Sequence, residues 1–106
     1  LGDLNDTPAS APLAPLIGEA GLKDISEHPA YQSDGRLGTY QRGTDREKID
    51  YVLLSPKLFD RVKGGGIWRK GVWGPNKNPA WEVYPEMTSS FHAASDHACL
   101  WADIDV

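Results

Sequence analysis

The clearest periodicity lies at the end of the chain, where Ala98, Leu100, Ala102, Ile104 and Val106 alternate with Cys99, Trp101, Asp103 and Asp105. A period of two predicts a half-buried β-strand with one face on a core and with Asp103 and Asp105 turned to solvent. Cys99 sits inside this alternation, where a buried thiol is expected. A second run, Ile49-Asp50-Tyr51-Val52-Leu53-Leu54-Ser55, is β-branched, aromatic and bounded by Pro56, so it too reads as a strand. Asp50 interrupts its apolar character. An acid inside such a run is costly unless it is paired or sits at a rim, so a cationic or hydrogen-bonding partner is expected for it. Leu37 to Gln41 reads as a further strand, separated from the second run by a charged turn from Arg42 to Lys48.

Helical patterning is confined to the start. Thr7-Pro8-Ala9-Ser10 resembles a helix entry, with Ser10 as cap and Pro12 tolerated in the first turn. Leu13, Leu16 and Ile17 share one face, Pro15 keeps the element short, and Gly18 to Gly21 ends it. Leu22 to Ile25 forms a short strand or the helix's exit, and Ser26 to Arg36 reads as a polar loop with His28 on its surface. Pro56 to Arg61 offers one helical turn at most. Gly64-Gly65-Gly66 reads as flexible punctuation, too poorly patterned to cradle phosphate, and residues 67 to 91 as loop with no more than one short strand.

At 106 residues the chain holds one small domain with a thin core. Apolar residues make up 40% and charged residues 25%, and no apolar run is long enough to span a bilayer. One cysteine excludes an internal disulfide and a thiolate metal cage. The net charge of -4 is uneven: Arg61, Lys63, Arg69, Lys70 and Lys77 are five cations among residues 61 to 77 with no acid, which leaves -4 minus 5, or -9, elsewhere. Trp68 and Trp73 lie in that segment, with Trp81 just beyond. Such a mixture suits backbone phosphates and base or lipid-headgroup contact, or else a solvated loop whose tryptophans pack inward.

Candidate chemistry lies in three places. Gly2-Asp3-Leu4-Asn5-Asp6 puts a carboxylate and a neutral amide two residues apart behind a glycine, able to hold water or metal and to contact a phosphoryl oxygen. Asp50 stands near the start of its strand, and Ser95-Asp96-His97 stands at the mouth of the last one. His92 reads as a loop residue.

Together Gly-Asp-Leu-Asn-Asp, Lys-Ile-Asp-Tyr-Val-Leu-Leu-Ser and Ser-Asp-His, with Thr7-Pro8 and Gly38-Thr39-Tyr40 between them, resemble the C-terminal half of the endonuclease/exonuclease/phosphatase superfamily, the deoxyribonuclease I and exonuclease III-like fold. The resemblance covers nearly the whole chain and looks most like bacterial members. It implies an α/β (α+β) fold: one half of a four-layered sandwich, mostly antiparallel sheet with short flanking helices. It also implies that residues 1 to 106 are the C-terminal portion of a longer domain. Asp3 then resembles the carboxylate that orients or deprotonates the attacking water, and Asn5 the amide that contacts the scissile phosphate and helps fix Asp3. Asp50 resembles the buried partner of the catalytic imidazole and His97 that imidazole, while Asp96, with Asp3 and Asn5, resembles the divalent-metal ligands. Hard oxygen donors without thiolate select Mg²⁺ or Mn²⁺. The activity implied is hydrolysis of a phosphodiester, in DNA or a phospholipid headgroup, or of a phosphomonoester. The family's other principal metal ligand, a glutamate, has no counterpart here, so the chain alone is expected to be inactive. It is also expected to expose an apolar sheet face that a second copy would cover. The alternative is a non-catalytic interaction or dimerisation module that keeps the fold.

Overall fold

Seven short strands, one α-helical turn and several 3₁₀ or π turns make up the computed structural model, which describes every residue from Leu1 to Val106. In chain order the strands are β1 (Gly2–Asp3), β2 (Lys23–Asp24), β3 (Tyr31–Gln32), β4 (Asp50–Tyr51), β5 (Leu53–Leu54), β6 (Val62–Trp68) and β7 (Cys99–Ile104). The helical turn α1 (Pro56–Phe59) lies between β5 and β6, capped by the Ser55 hydroxyl, which accepts from the Leu58 N–H at 3.3 Å. The class is mixed α/β. β1 pairs with β4 and β2 with β5, both antiparallel, and β6 is the centre of a three-stranded sheet, with β3 parallel and β7 antiparallel to it.

The predicted strand from Ile49 to Ser55 is one extended stretch that serves two partners. Its first half pairs with Gly2–Asp3 and its second with Lys23–Asp24. Between them, the Val52 carbonyl accepts the Ile25 N–H at 3.0 Å. Ile25, Leu54 and Val62 form the buried core, with Tyr31, Val52, Phe59, Ala102 and Ile104 packed around it. The terminal alternation holds as far as Ile104, with Ala102 and Ile104 facing inward and Trp101, Asp103 and Asp105 out, but Val106, expected on the inward face, lies past the end of β7 and is 91% exposed. The molecule is a slab of 43 × 31 × 20 Å in which only 16 of 106 residues are buried, so little apolar surface is hidden within the chain itself.

Five sequence expectations need correction. Gly64–Gly66 is not a hinge but the middle of β6, because neighbours press on its backbone. A Cβ on Gly65 would lie 2.9 Å from Ile25 Cγ1 and 3.2 Å from the Trp101 carbonyl oxygen, and one on Gly66 would lie 3.0 Å from Trp101 Nε1. The loop from Ser26 to Arg36 contains β3, whose pairing comes from distant β6 rather than from any local pattern. Leu37 to Gln41 is not a strand. It is a tight loop in which only Tyr40 bridges to His97, and Gly38 lies so close to Thr44 that a Cβ would run into its carbonyl oxygen. The first helix is a 3₁₀ turn (Ala11–Leu13) followed by a π turn (Pro15–Glu19), since Pro15 has no N–H to continue an α-helix. Leu13 is buried there but Leu16 is exposed, and the Ser10 hydroxyl caps nothing and is buried without a partner. Cys99, last, lies on the outward face of β7 and is exposed.

Candidate active site

The first motif is shaped by its backbone. Gly2 has φ 150°, a conformation that side chains disfavour, and Asn5 is left-handed at φ 52°. The turn is closed by Asp3, whose Oδ1 accepts the Asn5 N–H at 2.8 Å. Asn5 thus fixes Asp3 through its main chain. β1 is in register with β4 so that Asp3 lies directly opposite Asp50. Two like charges opposed across a strand pair are destabilising unless a compensating group lies close by, and here an imidazole is hydrogen-bonded to one of them and within 4.8 Å of the other.

His97 reaches that position from the far end of the sequence. Its N–H donates to the Ser95 hydroxyl at 2.9 Å, and the segment around it is laced to the Leu37–Gln41 loop. The Gln41 N–H donates to the Asp96 carbonyl at 2.9 Å and the Ala98 N–H to the Thr39 carbonyl at 2.7 Å. The ring then presents Nδ1 to Asp50, 2.9 Å from Oδ2 and 3.1 Å from Oδ1. Facing a carboxylate, Nδ1 carries the proton, and Nε2 is left toward the Asp96 side chain, 3.8 Å from its Oδ1. The hydrogen bond to Asp50 is the main reason the His97 pKa rises above 6.5; burial opposes it, and the charges of Asp50, Asp3 and Asp96 add to it. The expected partner of Asp50 is therefore present. A second is Thr39, almost wholly buried, whose hydroxyl donates to Asp50 Oδ2 at 2.6 Å while accepting the N–H groups of Asp50 at 3.0 Å and Ile49 at 3.2 Å.

Beneath this layer is a support that sequence reasoning missed. Lys48 closes the charged turn in the sequence, yet it is 1% exposed. Its ammonium lies 3.2 Å from Asp24 Oδ2, donates to the Asp50 carbonyl at 2.6 Å and sits 4.2 Å above the Tyr51 ring. Burial pulls its pKa below the usual lysine value, against the pull of Asp24. Tyr51 is buried as well, its hydroxyl facing the carbonyls of Asp6 at 2.7 Å and Lys48 at 3.1 Å, which ties the first motif to β4. Burial, then the neighbouring carboxylates of Asp24, Asp6 and Asp50, push that phenol up to about 12. The one available signal was position: Lys48 and Tyr51 flank Asp50. Thr39 had none of its own beyond the Gly-Thr-Tyr string.

The 61 to 77 segment divides between the two readings. Arg69 is buried, ion-paired with Asp34 and donating to the Gly38 carbonyl at 2.7 Å, so it clamps the loop that carries Thr39. Lys63 and Lys70 pair with Asp105 and Glu82 at 3.5 and 3.6 Å. Trp73 and Trp81 are half-buried, Trp81 donating its indole N–H to the Val72 carbonyl at 2.9 Å, but Trp68 is exposed. His28 is half-buried edge-on to Phe59, and His92 is exposed, its Nδ1 accepting the Thr88 N–H at 3.1 Å.

Asp3, Asp50 and His97 thus converge from three distant segments, one ligand atom from each lying within 4.8 Å of the others. As a cation site the cluster fits in part. Both Asp50 oxygens are committed to His97, whereas Asp3 is exposed with Oδ2 free, and the Asp96 carboxylate, two-thirds exposed, lies beside the ring. A hard cation that keeps several waters needs only one or two carboxylates from the protein. No family model matches the chain, and comparisons with curated proteins and with solved structures return no match either. No helix is long and apolar enough to cross a membrane.

Proposed function

We propose that the chain is part of a divalent-metal-dependent phosphoesterase of the endonuclease/exonuclease/phosphatase type, one layer of a deoxyribonuclease I-like sandwich. The observation that carries this reading is the convergence of Asp3, Asp50 and His97 within 4.8 Å. An imidazolium held by a carboxylate through Nδ1 keeps Nε2–H free to donate to a phosphoryl oxygen, where negative charge grows in the transition state. Asp3, exposed and oriented by the Asn5 N–H, is suited to accept a proton from the attacking water, and the Asn5 side chain to donate to the phosphate without adding charge. Thr39 and Lys48 hold Asp50 in place from its side chain and its carbonyl respectively. Asp3, Asn5 and Asp96 would hold Mg²⁺ or Mn²⁺, which supplies charge neutralisation at the phosphate.

The test is a panel of plasmid DNA, sphingomyelin and inositol phosphates with Mg²⁺ or Mn²⁺, run on the longest natural form of the protein. Asp3→Ala and His97→Ala each lower turnover by at least about 100-fold, the usual share of a general base or an oxyanion donor. Wild-type turnover in either variant refutes the roles. A second reading, a dimerisation module, is favoured by the thin slab, which leaves Leu16, Leu37, Leu58 and Phe91 exposed. Sedimentation showing a well-folded monomer counts against it.

A further inference from the structure

Away from the acid–imidazole cluster, three cations meet over one hollow. Arg36 and Arg42 reach it from the loop between β3 and β4, and Lys77 from the loop between β6 and β7. The hollow holds about 430 Å³ and is completed by Thr44, Asn76 and Asn78, so its wall contains neither an acid nor an apolar residue. None of the three cations is ion-paired, although acids outnumber lysines and arginines by 15 to 11 along the chain. The acids nearest in sequence are otherwise placed. Glu47 accepts the Thr44 N–H at 2.9 Å and its hydroxyl at 3.0 Å, and Asp45 lines a neighbouring hollow beside Arg46.

The cationic wall is braced from behind by Trp81. Its indole N–H donates to the Val72 carbonyl at 2.9 Å, its ring lies 4.9 Å from the Arg36 guanidinium, and it packs on Gly74 where no Cβ could fit. From there the Lys77 N–H donates to the Gly74 carbonyl at 3.0 Å, which folds the turn that carries Asn76 and Lys77. Arg36 is fixed as well, donating to the Arg42 and Pro79 carbonyls, and so keeps three of its five N–H groups for other partners.

We propose that this hollow binds a compact oxyanion carrying at least two negative charges, of the diphosphate kind. The proposal is independent of the phosphoesterase reading. A concave wall of one sign focuses its field on the enclosed space, and a single negative charge would leave two of the three cations uncompensated. A fixed guanidinium, a lysine and two amides offer the donors that such oxygens accept, whereas the lack of apolar lining disfavours an acyl or aromatic occupant. Arg42, Asn76 and Lys77 also border a larger hollow of about 530 Å³ that extends to Asp96. The Asp96 carboxylate repels an anion, so the occupant sits at the Arg36 end, apart from the candidate active site.

The experiment titrates the longest natural form of the protein with sodium pyrophosphate in EDTA, by calorimetry, with sodium acetate as the monovalent control. Pyrophosphate binds more tightly than acetate, and Arg42→Gln and Lys77→Gln each weaken it by about 10-fold or more. Arg42→Lys keeps the charge and retains part of the affinity, which separates loss of the cation from a folding defect. Lys70→Gln, at a lysine already paired with Glu82, leaves binding unchanged. Methyl diphosphate identifies the source of the anion: affinity kept assigns the diphosphate end of a larger molecule, and affinity lost assigns the free ion. No binding of pyrophosphate, binding no tighter than acetate, or binding unaltered in both Arg42→Gln and Lys77→Gln overturns the site. Binding that only His97→Ala removes puts the anion at the acid–imidazole cluster and overturns it too, leaving the roles of Asp3 and His97 to their own variants.

Discussion

Lys48→Met asks how much the buried ion pair beneath the site contributes to holding the fold. Methionine keeps most of the side-chain volume over the Tyr51 ring but removes the ammonium, which leaves Asp24 without its counter-charge and the Asp50 carbonyl without its donor at 2.6 Å. Asp24 retains one hydrogen bond, from the Ser26 N–H to Oδ1 at 3.0 Å. Removing one member of a buried pair costs about 3 to 5 kcal/mol, chiefly because the remaining charge is stranded. For a small domain that is about a fifth or more of the total stability. In urea, followed by tryptophan fluorescence, the midpoint falls by roughly 2 M for an m-value near 2 kcal/mol/M. Adding Asp24→Asn removes the stranded charge while keeping an oxygen for Ser26, so the double variant regains a large part of the loss and the two substitutions are strongly non-additive. Additive losses, or a Lys48→Met penalty below about 0.5 kcal/mol, would show that Lys48 is a bystander rather than a support.

Two further predictions concern the imidazole and the glycine run. In the metal-free protein the His97 pKa lies above 6.5 because of its bond to Asp50, and Asp50→Asn brings the ring's NMR titration back toward that value. Since the folded value is the higher one, this pair's stabilisation is complete below about pH 6.5 and is lost as pH rises through the folded pKa. A His97 titration midpoint unchanged in Asp50→Asn contradicts the assignment. Gly65→Ala destabilises by about 1 to 3 kcal/mol because its Cβ would press on Ile25 and the Trp101 carbonyl. Gly64→Ala, whose Cβ would meet nothing closer than 3.5 Å on the Trp101 ring, is neutral or slightly stabilising. Equal thermal shifts for the two would mean that the backbone there is not tightly packed.

Which parts of the molecule were legible in the sequence follows from where their forces act. β7 was readable because burial on one face of a strand writes itself as period two, and the run from Ile49 to Ser55 because it is β-branched and aromatic, with Tyr51 and Leu54 buried and the rest half-buried. Asp50's need for a partner was readable from the cost of placing an acid there. The partner's identity was not, because Thr39 and His97 are 11 and 47 residues away in the chain. β3 and the strand character of Gly64–Gly66 were hidden for the same reason: their hydrogen bonds and close contacts are to residues distant in sequence, so composition pointed to loop. Lys48 looked like a surface charge because only Asp24, brought in by β2, makes its burial tolerable.

By itself, then, the sequence determined the local matters: which stretches alternate, where Pro15 breaks a helix, and which positions carry carboxylate, amide and imidazole groups. Tertiary structure alone decided that Asp3, Asp50 and His97 share one cluster, that Arg69 and Lys48 are internal, and that Cys99 and Trp68 face outward. The reason is that backbone preference and patterning depend on near neighbours. Charge pairing, close packing and the shape of a site depend instead on which distant segments register against each other, here Gly2–Asp3 against Asp50–Tyr51 and Tyr40 against His97.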